Sequence, residues 1–173
     1  MTLDRRRFIV GATLFPLAAH AQTGPKAGKR LLVLDFEIID TSNEPVDQRA
    51  DHARRLASVR DEIAAGLAAH QTYVVVDRAS IEKDLAEILD QTYIRTCNGC
   101  ELTLAKKAGA DLVLTGVFNK VSTLILSMGV SIARVSTGEL IYHQGFDFRG
   151  DTDQSWARAS KFFVERIARD PAI

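Results

Sequence analysis

Cys97-Asn98-Gly99-Cys100 is the segment of this 173-residue sequence with the most direct claim to chemistry. These are the chain's only two cysteines, they stand at C-x2-C spacing, and a short helical pattern, Glu101 to Ala108, follows at once. A thiol at a helix N-terminus has a lowered pKa because the dipole and the free amides favour the thiolate, so the pair invites thiol-disulfide exchange. Its surroundings favour something plainer. Gln91 to Thr96 does not read as a buried strand leading into the pair, and no proline (16, 25, 45 or 171) is placed to face it as a cis-proline. A local disulfide in an oxidising compartment accounts for both residues, with redox exchange as the alternative. Zinc or copper would need two more ligands, and His52, His70 and His143 stand at no ligand spacing from one another or from the cysteines. No metal or cofactor is expected.

Carboxylates form the second candidate set. Asp35 and Glu37 stand two apart in the apolar run Arg30 to Ile39, so a regular strand projects both to one side. With Asp40 nearby and Asp77 ending the next strand, Asp35, Glu37 and Asp77 outline a possible ligand edge of the kind α/β sheets use. Salt bridges and helix capping are the commoner uses of such residues. Asp147, Arg149, Asp151 and Asp153 alternate before the last helix but lack the distal Glu of a calcium loop, so a charged turn that caps the helix is expected there. Neither G-x-S-x-G, a phosphate-cradling glycine loop nor His-Glu-x-x-His occurs. No catalytic residue is nominated, and the sequence reads more readily as a non-enzymatic protein than as an enzyme.

The N-terminus carries an address. Arg5-Arg6-Arg7-Phe8-Ile9 sets paired arginines one residue before two apolar positions, a twin-arginine pattern in which Asp4 replaces the usual Ser or Thr. Val10 to Ala19 follows, too short for the roughly 20 residues that span a bilayer and interrupted by Pro16. Ala19-His20-Ala21 supplies a small-x-small cleavage site. Residues 1–21 therefore read as a signal peptide, by the twin-arginine or the Sec route, cleaved near Ala21 and leaving no stable membrane anchor. The expected location is the periplasm. Without the leader the charge count is 19 basic and 21 acidic residues, which lacks the concentrated positive field that nucleic acid requires.

These candidates need elements to hold them. Residues 22–29 read as a flexible lead-in and 30–170 as one α/β (α+β) domain. Arg30 to Ile39 is a near-continuous apolar strand. Leu56, Val59, Ile63 and Leu67 set a helix over Gln48 to Ala69. Tyr73 to Val76 is a short strand, and Ser80 an expected N-cap for a helix from Ile81 to Leu89. Asp111 to Phe118, Val121 to Val135 and Glu139 to Phe148 read as strands, the last two joined by a hairpin at Ser136-Thr137-Gly138. Alternation puts Leu140, Tyr142, Gln144, Phe146 and Phe148 on one face and Ile141, His143, Gly145 and Asp147 on the other. Trp156, Ala159, Phe163 and Ile167 stripe a final helix. The order is β-α-β-α-α-β-β-β-α, a mixed sheet of about five strands with helices packed on it and a long hairpin before the last helix.

The phrases "VLDFE", "VVDR" and "GADLVLTG", within roughly Arg30 to Val121, resemble the α/β domain shared by the curli-secretion protein CsgG and the N-terminal domain of TolB. The C-terminal part resembles a narrower group of bacterial periplasmic proteins of unassigned function. The resemblance implies this fold and an envelope compartment, and offers no catalytic residues to carry over. The lipid-anchored cysteine and membrane-spanning hairpins of CsgG have no counterpart here, which sets pore formation aside. The expected role is that of a non-enzymatic accessory or binding protein that recognises an envelope or periplasmic protein partner, or a small ligand, through the sheet edge and the long hairpin, with Leu124, Leu126, Met128, Val130 and Ile132 as a candidate partner surface; a Cys97/Cys100 redox protein is the alternative.

Overall fold

A computed structural model describes residues 28–70 and 73–169. The export residues Arg5, Arg6 and Phe8 and the cleavage residues Ala19 and Ala21 lie outside the described residues. Along the chain run β1 (Lys29–Val33), β2 (Glu37–Asp40), α1 (Arg49–Ala69), β3 (Tyr73–Val75), α2 (Glu82–Gln91), a 3-10 turn (Ile94–Thr96), α3 (Cys100–Lys107), β4 (Leu112–Ser122), β5 (Ile125–Arg134), β6 (Leu140–Phe148) and α4 (Asp153–Ala168). The sheet is mixed, as expected, in the order β3-β1-β4-β5-β6, with β2 also on β4. It has six strands rather than about five, because the run Arg30 to Ile39 is two strands.

The division has a geometric cause. Both β1 and β2 pair in parallel with β4, Val33 opposite Leu114 and Glu37 opposite Val117. The segment Leu34-Asp35-Phe36 therefore holds one residue more than β4 does, which is a bulge, and a bulge shifts the alternation of faces by one. Leu31 and Val33 before it and Phe36 after it share the core beneath α1 and α4. Leu32 and Leu34 face α2 and α3 instead. Asp35 falls in the bulge and Glu37 beyond it; with Phe36 turned to the main core the two border one hollow, though not through the spacing of a regular strand.

β4 is longer than its apolar run announces. It continues past Phe118, where the strand was expected to end, through Asn119, Lys120 and Val121, which was expected to open the next strand, to Ser122, and reverses at Thr123-Leu124. Ser122 Oγ accepts the N–H groups of Leu124 and Ile125 at 3.3 and 3.2 Å, which fixes that turn. β6 has its own irregularity: Tyr142 pairs with Ile132 but Leu140 with Ala133, leaving Ile141 extra. Ile141 consequently packs on the main core beside Tyr142, and Leu140 turns to the opposite face, reversing their expected sides.

The main core lies between the sheet and the helices α1 and α4. Leu126, Met128, Val130 and Ile132 are all at 0% exposure within it, so they are core and not a partner surface; Leu124 is 67% exposed. Phe118 stacks on Trp156 with ring centroids 4.1 Å apart. Two glycines permit close approach. A Cβ on Gly116 would occupy the space of the Phe36 ring, and one on Gly66 of α1 would lie 2.8 Å from Val164 Cγ1 on α4. The second core is smaller: Ile81, Leu85 and Leu104 cover Leu32, Leu34 and Val113. Caps follow local chemistry: Thr152 accepts the Ser155 N–H to start α4. Ser80 does not cap α2, whose preceding residue is Ile81 with no side-chain cap; Asp84 instead pairs with Lys107 at 2.7 Å.

Candidate functional site

The uncovered part of the sheet borders the cysteine turn. Asp35, Glu37, Arg95, Cys97 and Glu101 line a hollow of about 510 Å³ that reaches Thr115 and Ser131 on β4 and β5. A second hollow of about 450 Å³ continues over Asn119, Ser127, Gly129, His143, Gly145 and Asp147. This face is polar and low because Gly116, Ser127, Gly129, Ser131 and Gly145 supply small side chains or none. Ser131 Oγ and His143 Nδ1 bond across β5 and β6 at 2.9 Å.

The predicted acidic residues go to separate partners. Asp35 accepts from Arg60 Nη1 and Arg78 Nη1, both at 2.7 Å. Burial works against its ionisation, but the hydrogen bonds of Arg78 and Arg60 outweigh it and hold its carboxyl below the usual range. Glu37 Oε1 accepts the Ile94 N–H at 2.6 Å, and its Oε2 pairs with Arg95 at 3.0 Å, which pins the 3-10 turn onto β2. Asp77 accepts the Ala79 N–H at 3.1 Å. The three do not converge on one point.

Cys97 and Cys100 form a disulfide, with Cα atoms 5.8 Å apart. Gly99, at φ 90°, supplies the left-handed residue that lets the chain turn from Cys97 into the first position of α3. Cys97, Cys100 and Glu101 set three potential metal donors within 4.8 Å of one another. Closed as a disulfide, the sulfurs are not thiolate ligands.

A cluster of buried charges on the other side of the sheet escaped the sequence reading. Lys120 is 0% exposed. Its Nζ lies 3.0 Å from Asp151 Oδ2, 3.0 Å from Glu44 Oε2 and 3.7 Å from Asp40 Oδ2, and it also bonds Gln48 Oε1. Asp151 accepts from Arg55 Nη1 at 2.7 Å, Trp156 Nε1 at 2.9 Å and pairs with His52 Nε2 at 3.0 Å. Burial opposes ionisation of Asp151, but His52, Lys120 and Trp156 outweigh it and lower its pKa; burial likewise opposes the Lys120 ammonium, and Asp151 and Glu44 raise its pKa past that. The cluster ties β4, α1, the loop before α1 and the start of α4 together. Every acceptor on Asp151 is used, so its chemistry is that of a lock.

These elements define a small α/β fold with a mixed sheet, two helices over one face and a half-covered second face. The chain belongs to the DUF3280 family, described as "Protein of unknown function (DUF2380)", whose family model matches residues 29–167. No curated protein sequence matches it. Among solved structures it is similar to the lipoprotein GNA1162 from Neisseria meningitidis, at 15% identity and TM-score 0.53, with 82% of this chain and 99% of that one covered. The hypothetical protein CT253 from Chlamydia trachomatis aligns at 12% identity and TM-score 0.51, over 82% and 96%. LpoB of E. coli aligns at 16% identity and TM-score 0.50, over 86% and 82%. At such identities the likeness is one of fold. Among the described residues no helix is long and apolar enough to cross a membrane.

Proposed function

We propose that the protein is an exported, non-enzymatic accessory protein of the cell envelope that recognises a polypeptide partner across the open face of β4, β5 and β6. The observation that carries this reading is that face itself: Thr115, Asn119, Ser127 and Ser131 offer hydrogen-bonding groups, and Asp147 a carboxylate, over a floor kept low by Gly129 and Gly145. The occupant that suits it is an extended segment with free amides and a basic side chain, since the face supplies acceptors and one negative charge. The twin-arginine leader, the small-x-small cleavage site and the likeness in sequence phrases to CsgG and TolB point to the same compartment and role. That one protein of similar fold is described as a lipoprotein agrees with an envelope address. The buried charges support recognition over bond-making, because Lys120, Asp151 and Asp35 are committed to ion pairs.

The test is a photo-crosslinking amino acid at Ser127, on the open face, compared with one at Glu62 on α1, in cells that export the protein. A discrete adduct from Ser127 but not from Glu62, lost when Asp147→Lys is added, is expected. Retention of the protein in the cytoplasm, or identical adducts from both positions, would overturn the reading. The second reading, a thiol-disulfide enzyme, draws on the position of Cys100 at the first residue of α3; its test is among the predictions below.

A further inference from the structure

The sheet ends at β6, and among the described residues no strand pairs with its outer side. The opposite edge, β3, has three residues, whereas β6 has nine. Natural edges of that length are guarded by proline, lysine or a covering segment, and β6 contains neither residue. Its regular part is Tyr142–Phe148, which is paired one to one with Leu126–Ile132; the irregularity lies at Leu140 and Ile141.

The direction of the free backbone groups follows from the ladder. Val135 N–H donates to Asp111 O and Arg134 N–H to Glu139 O, so odd residues of β5 point to β4 and even ones to β6. Their partners Tyr142, Gln144, Phe146 and Phe148 are thus bonded to β5. His143, Gly145 and Asp147 direct N–H and C=O outwards.

We propose that a second copy of this chain pairs with β6, antiparallel, about a two-fold axis at Gly145. The midpoint of the regular run is Gly145, and centring there makes Gly145 meet its counterpart as a hydrogen-bonded pair. His143 of each copy then stands opposite Asp147 of the other, twice by symmetry. Ser131 Oγ–H donating to His143 Nδ1 leaves the ring proton on Nε2, free to donate to that carboxylate. On the α4 side Tyr142 meets Phe148 and Gln144 meets Phe146, with the two Phe146 rings diagonal neighbours across the axis. Phe146 already packs on Phe162, 5.0 Å between centroids, and Phe162 is 47% exposed, so an apolar shoulder lies beside the edge for the second copy to cover. Other registers fit worse. Centring on Gln144 runs the pairing into the irregularity at Ile141, and centring on Phe146 sets His143 against Arg149.

This inference stands apart from the partner proposed above, because it is tested on the purified chain alone. Sedimentation equilibrium of the leader-free protein, over about 1 μM to 1 mM, is expected to show a monomer-dimer equilibrium. Gly145→Pro removes a single outward-pointing N–H from each copy and leaves the β5 ladder intact; Asp147→Lys sets a cation against His143. Each is expected to weaken dimerisation at least about tenfold, about 1.4 kcal/mol, with an unchanged far-UV spectrum. The double variant His143→Asp/Asp147→Lys restores opposite charges and is expected to recover the dimer. A protein that stays monomeric throughout, or a dimer indifferent to both Gly145→Pro and Asp147→Lys, would overturn the proposal.

Discussion

Replacing Lys120 by methionine keeps an unbranched side chain one atom shorter and removes the charge from a site with no solvent access. Three carboxylates, Asp151, Glu44 and Asp40, then lose a cation within 3.0 to 3.7 Å. Breaking one partner out of a buried ion cluster costs about 3–5 kcal/mol. The lower end applies here, because Asp151 keeps Arg55, Trp156 and His52, and Glu44 keeps the Thr123 N–H at 2.7 Å. A loss of about 3 kcal/mol corresponds to about 10 °C in Tm for a domain of this size. Trp156 is the chain's only tryptophan, 1% exposed and bonded to Asp151, so its fluorescence reports the same region during urea unfolding. Combining Lys120→Met with Asp151→Asn should cost less than the sum of the single changes by at least about 1 kcal/mol, since the second removes a charge the first had stranded. A Lys120→Met loss under about 1 kcal/mol, or strict additivity, would refute the view of this cluster as a lock.

The cluster and, separately, the ion pairs of Asp35 with Arg60 and Arg78 set a pH window. Asp151 and Asp35 have lowered pKa values, so the stability they give is complete above the unfolded value of about 3.9 and is lost as pH falls through the folded values; Lys120 has a raised one, so its contribution is complete below about 10.4 and is lost at higher pH. Urea midpoints should therefore hold level from about pH 6 to 9 and fall on both sides, with the alkaline fall absent in Lys120→Met. Gly116→Ala should destabilise the fold by about 1–3 kcal/mol because its methyl takes the place of the Phe36 ring, and Phe36→Leu should recover part of that loss in thermal melts. Cys97→Ser should lower stability by about 2 kcal/mol, the chain-entropy value for so short a loop. Neither wild type nor Cys97→Ser is expected to reduce insulin; activity in the wild type alone would favour the redox reading.

Periodicity made most elements legible, since α1 and α4 bury the stripes their sequences display and the apolar runs are strands. The two bulges were not legible. An extra residue at Leu34 to Phe36 or at Ile141 is set by what lies opposite, and a run such as LLVLDFEII is equally apolar whichever residue is displaced. The cysteine pair was visible from its spacing, and its reading as a disulfide leaned on the expected compartment, while the separate partners of Asp35 and Glu37 depend on Arg60, Arg78 and Arg95, which come from distant segments, and Asp77 turns to the nearby Ala79 N–H. The Lys120 cluster did leave a signal. Lys120 follows Leu112, Leu114, Gly116 and Phe118 at the period of a strand, and His52 precedes Leu56, Val59 and Ile63 at that of a helix, so each polar residue stands in line with a buried stripe. Ending the strand at Phe118 concealed the first of them.

The place of β4 has a consequence for how the chain reaches this state. β1, β2 and β5 all use β4 as their partner, and the β1 pairing joins Leu31 to Leu112 across most of the preceding sequence. Local closures form early and distant ones late, which favours the β4-β5-β6 meander as the first part of the sheet to assemble. Until Leu112–Ser122 has left the ribosome, β1 can pair only with the three residues of β3. Completion of the sheet around β1 and β2 therefore requires β4 to have been made.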